Sequence, residues 1–156
     1  MASPICRHIY ANGIVASASY LLKPPSALHH LSNEIRTTFK SVDEITPDTT
    51  TSLPYLNGVV EEVLRIFPPI PAGLQRVSPG RTIARYWVPK DSHLSCSAWV
   101  LGHSEKCFLN PQQYHPERWL TPDHPLFDSL YDHDIRKPAN LLDLGREPVR
   151  GSIWLG

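Results

Sequence analysis

The stretch "LPYLNGVVEEVLRIFPP", from Leu53 to Pro69, predicts one helix that ends abruptly. Its apolar residues recur at spacings of three and four, which is typical of a helix that buries one face. Pro54 suits the first helical turn, where a missing N–H costs nothing, and Pro68 with Pro69 prevents the helix from continuing. The residues expected on the buried face are Leu56, Val59, Val60, Val63, Leu64 and Phe67.

Two charged residues, Glu62 and Arg65, lie opposite that apolar face and one turn apart. Taken with this helix alone, they predict an exposed i, i+3 ion pair that contributes about 0.2–0.5 kcal/mol. Whether this interpretation holds depends on what the rest of the chain places over that face.

The composition predicts one domain and argues against one class of protein. A chain of 156 residues with 41% hydrophobic residues can form a real core. The formal net charge of zero argues against a nucleic-acid-binding protein, for which a basic face is the first sign. Sixteen prolines, mainly after Phe67, favour a C-terminal half of turns, short strands and irregular chain.

The cysteines and the hydropathy pattern predict an intracellular protein, which would be cytosolic if expressed as written. Cys6, Cys96 and Cys107 form neither a CxxC pair nor an even-numbered disulfide framework. No stretch approaches the roughly 18 apolar residues that a membrane span needs, and the N-terminus lacks the pattern of a signal peptide.

Before the opening helix, two helices are expected between residues 10 and 40. The first ends at "KPP", and Ser26 is the predicted N-cap of the second. After Pro69 we expect a turn at Pro79–Gly80 and then two strands, "RTIARYWV" and "HLSCSAWVLG", joined by "PKDS". The apolar side of the second helix is predicted to consist of Leu28, Leu31, Ile35 and Phe39.

The segments "EEVLRIFPP", "LQRVSPG" and "HSEKCFLNPQQYHPERWL", in this order, resemble the C-terminal part of a cytochrome P450, most closely of fungal members. An E-x-x-R helix, a small sheet and a P-E-R-W meander follow one another in that family. The resemblance implies a mainly α fold with a small antiparallel β-sheet (α+β), a partial cytochrome P450 fold. It divides a single truncated region, residues 1–156, into helices before E-x-x-R (10–40), the E-x-x-R helix (53–67), the small sheet (70–101), the meander (108–140) and a degenerate haem-loop region (141–156).

The resemblance also gives Glu62 and Arg65 a different environment. In the family, the E-x-x-R residues bond to the meander arginine and hold that irregular segment beneath the haem. It therefore implies a structural trio in which Glu62 is bridged by Arg65 and Arg118. A planar guanidinium suits this role, because it makes two directed bonds that lysine cannot reproduce.

The family binds haem through a cysteine thiolate in an F-x-x-G-x-R-x-C-x-G loop. The stretch "LDLGREPVRG" fits that frame, but Val149 stands at the cysteine position and Glu147 at the arginine position. Valine cannot ligate iron, so no catalytic residue and no metal ligand is expected here. Of the haem contacts, Arg76 stays a candidate for binding a haem propionate, with an exposed surface arginine as the alternative.

The family's distal A-G-x-x-T-T motif is absent, and no membrane anchor or following helix is present in these 156 residues. We therefore expect a truncated monooxygenase-like protein that is inactive as written and binds no haem. The ancestral role implied is oxidation of a hydrophobic small molecule, supported by a reductase partner, in fungal secondary metabolism at the endoplasmic reticulum membrane. Two alternatives stay open: an active enzyme whose gene is incompletely represented, and a non-enzymatic interaction module.

Overall fold

The computed structural model describes residues 4–73, 75–83 and 85–134, with side chains from residue 11 onward in these ranges. The described part is mainly helical with one antiparallel hairpin, which confirms the predicted fold class. Its helices are α1 (Pro4–Leu21), α2 (Pro25–Thr38), α3 (Pro47–Thr50), α4 (Pro54–Ile66) and α5 (Ala98–Gly102). Its strands are β1 (Arg76–Ile83) and β2 (Tyr86–Leu94), and its 3-10 turns are Val42–Glu44, Pro116–Trp119 and Ser129–Tyr131. None of the helices described is long and apolar enough to cross a bilayer.

The second helix begins two residues earlier than the predicted N-cap implies. Its N-cap is Pro24 and its first residue is Pro25, so the predicted cap Ser26 lies inside the first turn. Proline is well suited to that first position, because its missing N–H would have no partner there. Leu31 is buried as predicted, whereas Leu28 is 41% exposed, because the neighbouring row through Ala27 faces the core.

The buried face of α4 is rotated relative to the predicted apolar stripe. Val59 and Val63 are buried as predicted, but Val60 and Phe67 are 45% and 47% exposed. The irregular segment after α5 packs over the polar side of the helix, so that side is buried instead. The buried residues of α4 are Tyr55, Gly58, Val59, Glu62, Val63, Arg65 and Ile66. Around this face, Leu31, Tyr55, Val59 and Leu120 form the core cluster.

The predicted hairpin is wrong in its register. Ile83 pairs with Tyr86, so the chain reverses between these two residues, and the "PKDS" segment lies inside β2. Pro79 and Gly80, predicted as a turn, lie inside β1 beside an irregularity in the pairing. A two-stranded sheet tolerates this proline, since each strand has a free edge where a missing N–H breaks no ladder bond.

The second predicted strand also ends early. Ser97 caps α5, its Oγ accepting the N–H of Val100 at 3.3 Å, so the segment "AWVLG" is helical rather than extended. The same Oγ donates to the carbonyl of Pro71 at 2.8 Å and holds α5 close to the end of α4.

The hairpin turn gives a first testable prediction. Arg85 has φ 70°, a left-handed conformation that costs an L-residue about 1–2 kcal/mol, whereas glycine adopts it freely. Arg85→Gly is therefore expected to stabilise the hairpin by up to about 1 kcal/mol, seen as slower amide exchange across β1 and β2. The matched control is Arg81→Gly, because Arg81 lies within β1 without a positive φ. The control should lose stability, and equal effects of the two variants would contradict the prediction.

Candidate functional site

The side chain of Glu62 is the centre of the candidate site. It is fully buried and its two carboxylate oxygens accept hydrogen bonds from four residues. Arg65 donates from Nε to Oε2 at 2.9 Å and from Nη2 to Oε1 at 2.8 Å. Oε1 also accepts from Arg118 Nε at 3.2 Å and from the backbone N–H of His115 at 2.9 Å. The indole N–H of Trp119 completes the set at 2.9 Å from Oε2.

Arg65 connects the helix to two other segments. The i, i+3 spacing places the guanidinium of Arg65 beside Glu62. The two Nη atoms also donate to carbonyls outside α4. Nη1 donates to the carbonyls of Gly102 in α5 and of Pro111, the latter at 2.7 Å. Nη2 also donates to the carbonyl of Gln113 at 3.1 Å. One arginine thus holds α4, α5 and the start of the irregular segment together.

Arg118 makes the corresponding contacts from the irregular segment itself. Its Nε donates to Glu62, its Nη1 donates to Asp134, and its Nη2 donates to the carbonyl of Leu109 at 3.2 Å. Asp134 also accepts the backbone N–H of Leu109 at 2.7 Å. The guanidinium lies 4.6 Å from the centroid of the Tyr131 ring, within cation–π range.

The network is neutral and buried. Two carboxylates, Glu62 and Asp134, balance two guanidiniums, and the four side chains are between 0% and 4% exposed. Burying one such charge alone would be strongly unfavourable, so each of the four groups depends on its partners for its place in the interior. Sequence reasoning missed Asp134, because several aspartates occur near it and no spacing rule selects one. It also missed Trp119, whose indole N–H is a donor to Glu62.

Two tyrosines near the Glu62 network, Tyr55 and Tyr114, are desolvated by burial. The hydroxyl of Tyr55 on α4 donates to Glu117 Oε1 at 3.0 Å. Desolvation by burial, followed by the nearby charge of Glu117, raises the pKa of Tyr55 well above its usual range. Burial, followed by the charges of Glu62 and Glu117, likewise raises the pKa of Tyr114. Both phenols therefore stay protonated and neutral beside the carboxylates.

Comparison with known proteins places this architecture in a family. The sequence profile described as Cytochrome P450 matches residues 11–138. The chain belongs to the cytochrome P450 family. It is 42% identical over 132 residues to the cytochrome P450 monooxygenase btcC of Colletotrichum orbiculare, covering 85% of this chain and 25% of btcC. It is 36% identical to the cytochrome P450 monooxygenase BOA3 of Botryotinia fuckeliana, with 85% and 26% covered. The chain therefore spans about a quarter of the length of these relatives.

Solved cytochrome P450 structures share the fold. A zebra fish cytochrome P450 with progesterone matches with a TM-score of 0.62 and 23% identity, over 81% of this chain and 33% of that one. The cytochrome P450 CYP102L1 gives a TM-score of 0.63 and 22% identity, over 71% and 26%. At these identities the comparison shows the partial cytochrome P450 fold alone.

Arg76, the sequence candidate for a haem contact, lies apart from the Glu62 network. It begins β1, its side chain is exposed, and its Nη1 donates to the adjacent carbonyl of Gln75 at 3.3 Å. The rest of the Arg76 guanidinium has no hydrogen-bond partner among the described residues.

The described residues do not fit an iron ligand of the P450 type. Burial, and then the nearness of Cys107, raises the pKa of the Cys96 thiol, which disfavours the thiolate form that binds iron. Cys107 itself is buried as a free thiol. His103 stacks on Trp99 at 4.4 Å, and within the described ranges no three His, Cys, Asp or Glu side chains form a metal cluster. Val149 and Glu147, which stand at the family's cysteine and arginine positions, lie outside the described residues.

Proposed function

We propose that the chain is the structural C-terminal part of a fungal-type cytochrome P450 monooxygenase and is catalytically inactive as written. The reaction proposed for its ancestor is oxidation of a hydrophobic small molecule in secondary metabolism, with electrons from a reductase. Both fungal relatives described above carry the name cytochrome P450 monooxygenase, which supports this assignment.

The observation that carries the proposal is the network around Glu62. The segment from residue 108 to 134 contains only short 3-10 turns as regular structure, so few backbone bonds hold it. Side-chain hydrogen bonds of two arginines and one carboxylate take the place of the missing backbone hydrogen bonds. Arg65 contributes from the helix and Arg118 from the segment. We propose that this anchoring is the role of the E-x-x-R helix in this chain.

The inactivity is proposed from the sequence after the segment. A haem with a thiolate ligand supplies oxygen activation when it is bound. Val149 has no lone pair to offer the iron, and Glu147 would repel the haem propionates that an arginine attracts. Arg76 is the one residue for which we propose a haem contact, through its exposed guanidinium.

The experiment adds haem to the purified chain, reduces it and exposes it to carbon monoxide. We expect no absorbance band of the thiolate type, because Val149 stands at the position of the family's ligating cysteine and has no thiol. A full-length relative such as btcC is the positive control. A thiolate-type band at stoichiometric haem would contradict the inactive assignment.

A second candidate is an active enzyme encoded by a longer gene. Two observations favour it: the chain spans about a quarter of its relatives, and Val60 and Phe67 are about half exposed where the sequence pattern predicts burial. Transcript sequencing across both ends tests this candidate. An in-frame F-x-x-G-x-R-x-C-x-G downstream would establish it, and a stop codon in every transcript would exclude it.

A further inference from the structure

Helix α4 begins without a local cap. Its N-cap residue is Leu53, which has no acceptor in its side chain and is 3% exposed in the core. The first helical residue, Pro54, has no N–H, and the N–H of Asn57 already donates to the carbonyl of Leu53 at 3.1 Å. Two backbone donors of the first turn, those of Tyr55 and Leu56, therefore need acceptors from elsewhere.

Both donors are taken by one carboxylate from another helix. The N–H of Tyr55 donates to Glu34 Oε1 at 2.8 Å, and the N–H of Leu56 donates to Glu34 Oε2 at 2.9 Å. Glu34 lies near the end of α2, more than twenty residues earlier in the chain. With these two bonds, every N–H of the first turn of α4 has a partner or is absent.

We propose that Glu34 is the N-terminal cap of α4, supplied across space by α2, and is therefore a positioning residue for the helix that carries Glu62. A carboxylate suits this place, because the start of a helix carries a partial positive charge and because each of its oxygens accepts one bond. The arrangement also explains why a buried leucine can occupy position 53, where serine, threonine, asparagine or aspartate would normally stand. Since it rests on the contacts of described residues, it holds whether or not the chain binds haem.

The consequence is a link between α2 and the Glu62 network. Glu62 lies two turns after the first turn of α4 on the same helix, so fraying at that turn would change the direction of the axis that presents it. The capping contact thus makes α2 part of the unit that holds the irregular segment, a role that no pattern in residues 25–38 indicates.

The test is Glu34→Gln in the whole chain, which keeps the size and packing of the side chain but removes its charge and one acceptor. We expect amide exchange at Tyr55 and Leu56 to become about 3- to 30-fold faster, with little change at Val59 and Val63 further along the helix. Both amide protons should also shift upfield, since they no longer donate to a carboxylate. The matched control is Glu105→Gln, which removes the same charge at an exposed position outside these contacts.

Two results would overturn the assignment. Unchanged exchange at Tyr55 and Leu56 in Glu34→Gln would mean that the carboxylate does not cap the helix. Equal acceleration along the whole of α4 would mean that Glu34 supports packing in general rather than the first turn. If the variant weakens the fold too far for site-specific exchange, the amide shifts of Tyr55 and Leu56 in the unmodified chain decide, because uncapped donors would not be shifted downfield.

Discussion

Glu62→Ala is expected to release residues 108–134 from α4 and to destabilise the fold by about 3–5 kcal/mol. The cause is the loss of the one carboxylate that Arg65 and Arg118 share, which leaves two buried guanidiniums facing each other. The backbone N–H of His115 and the indole N–H of Trp119 lose their acceptor as well. Amide exchange should rise by about 150- to 5,000-fold between Phe108 and Asp134, since 1.36 kcal/mol corresponds to a factor of ten.

The neighbouring residue supplies the control. Glu61 is adjacent in sequence and carries the same charge, but it makes none of the contacts described for Glu62. Burial raises the pKa of Glu61, so removing that carboxylate is expected to cost little. Equal protection of residues 108–134 in Glu62→Ala and Glu61→Ala would show that the trio does not hold the segment.

Asp134→Asn should have the second-largest effect, about 3 kcal/mol. The substitution removes the charge that balances Arg118, while asparagine can still accept the N–H of Leu109. The remaining network would carry a net positive charge in a site whose side chains are at most 4% exposed. The free energy of unfolding, measured by denaturant titration or by exchange in residues 108–134, reports the loss.

Asp123→Asn is the control for this prediction, because Asp123 lies in the same irregular segment with an exposed side chain. It removes the same charge from the segment, and the contact that its side chain makes is to Thr121 rather than to Arg118. If both variants lose the same stability, the effect belongs to the net charge of the segment, and Asp134 would not be a member of the network.

The fold class and the trio of Glu62, Arg65 and Arg118 could be predicted through the family resemblance. The periodicity of α4 alone predicted an exposed ion pair instead. That pattern places Glu62 and Arg65 opposite the apolar stripe, where exposure is the normal expectation. The chain that covers this face is irregular and lies about fifty residues later, so it leaves no periodic signal. Only the ordered set of segments, through the family resemblance, linked Arg118 to the helix.

The residues that sequence reasoning missed act across long separations. Glu34 and Asp134 are single acidic residues among many, and their partners are backbone or side-chain groups selected by the packing of α2 and of the segment. The error in the hairpin has a different origin. Pro79–Gly80 and "PKDS" both have the composition of a turn, but the cross-strand pairing places the reversal between Ile83 and Tyr86 instead.

A double-mutant cycle between Glu62 and Arg118 tests the central claim most directly. Glu62→Gln, Arg118→Gln and the double variant are compared by the free energy of opening of residues 108–134, measured by amide exchange. We expect the sum of the two single-variant losses of free energy to exceed the loss in the double variant by about 2–3 kcal/mol. The reason is that each single change leaves a buried charge unpaired. A coupling below about 0.5 kcal/mol would mean that the two side chains act independently, and it would contradict the account of a shared, buried network.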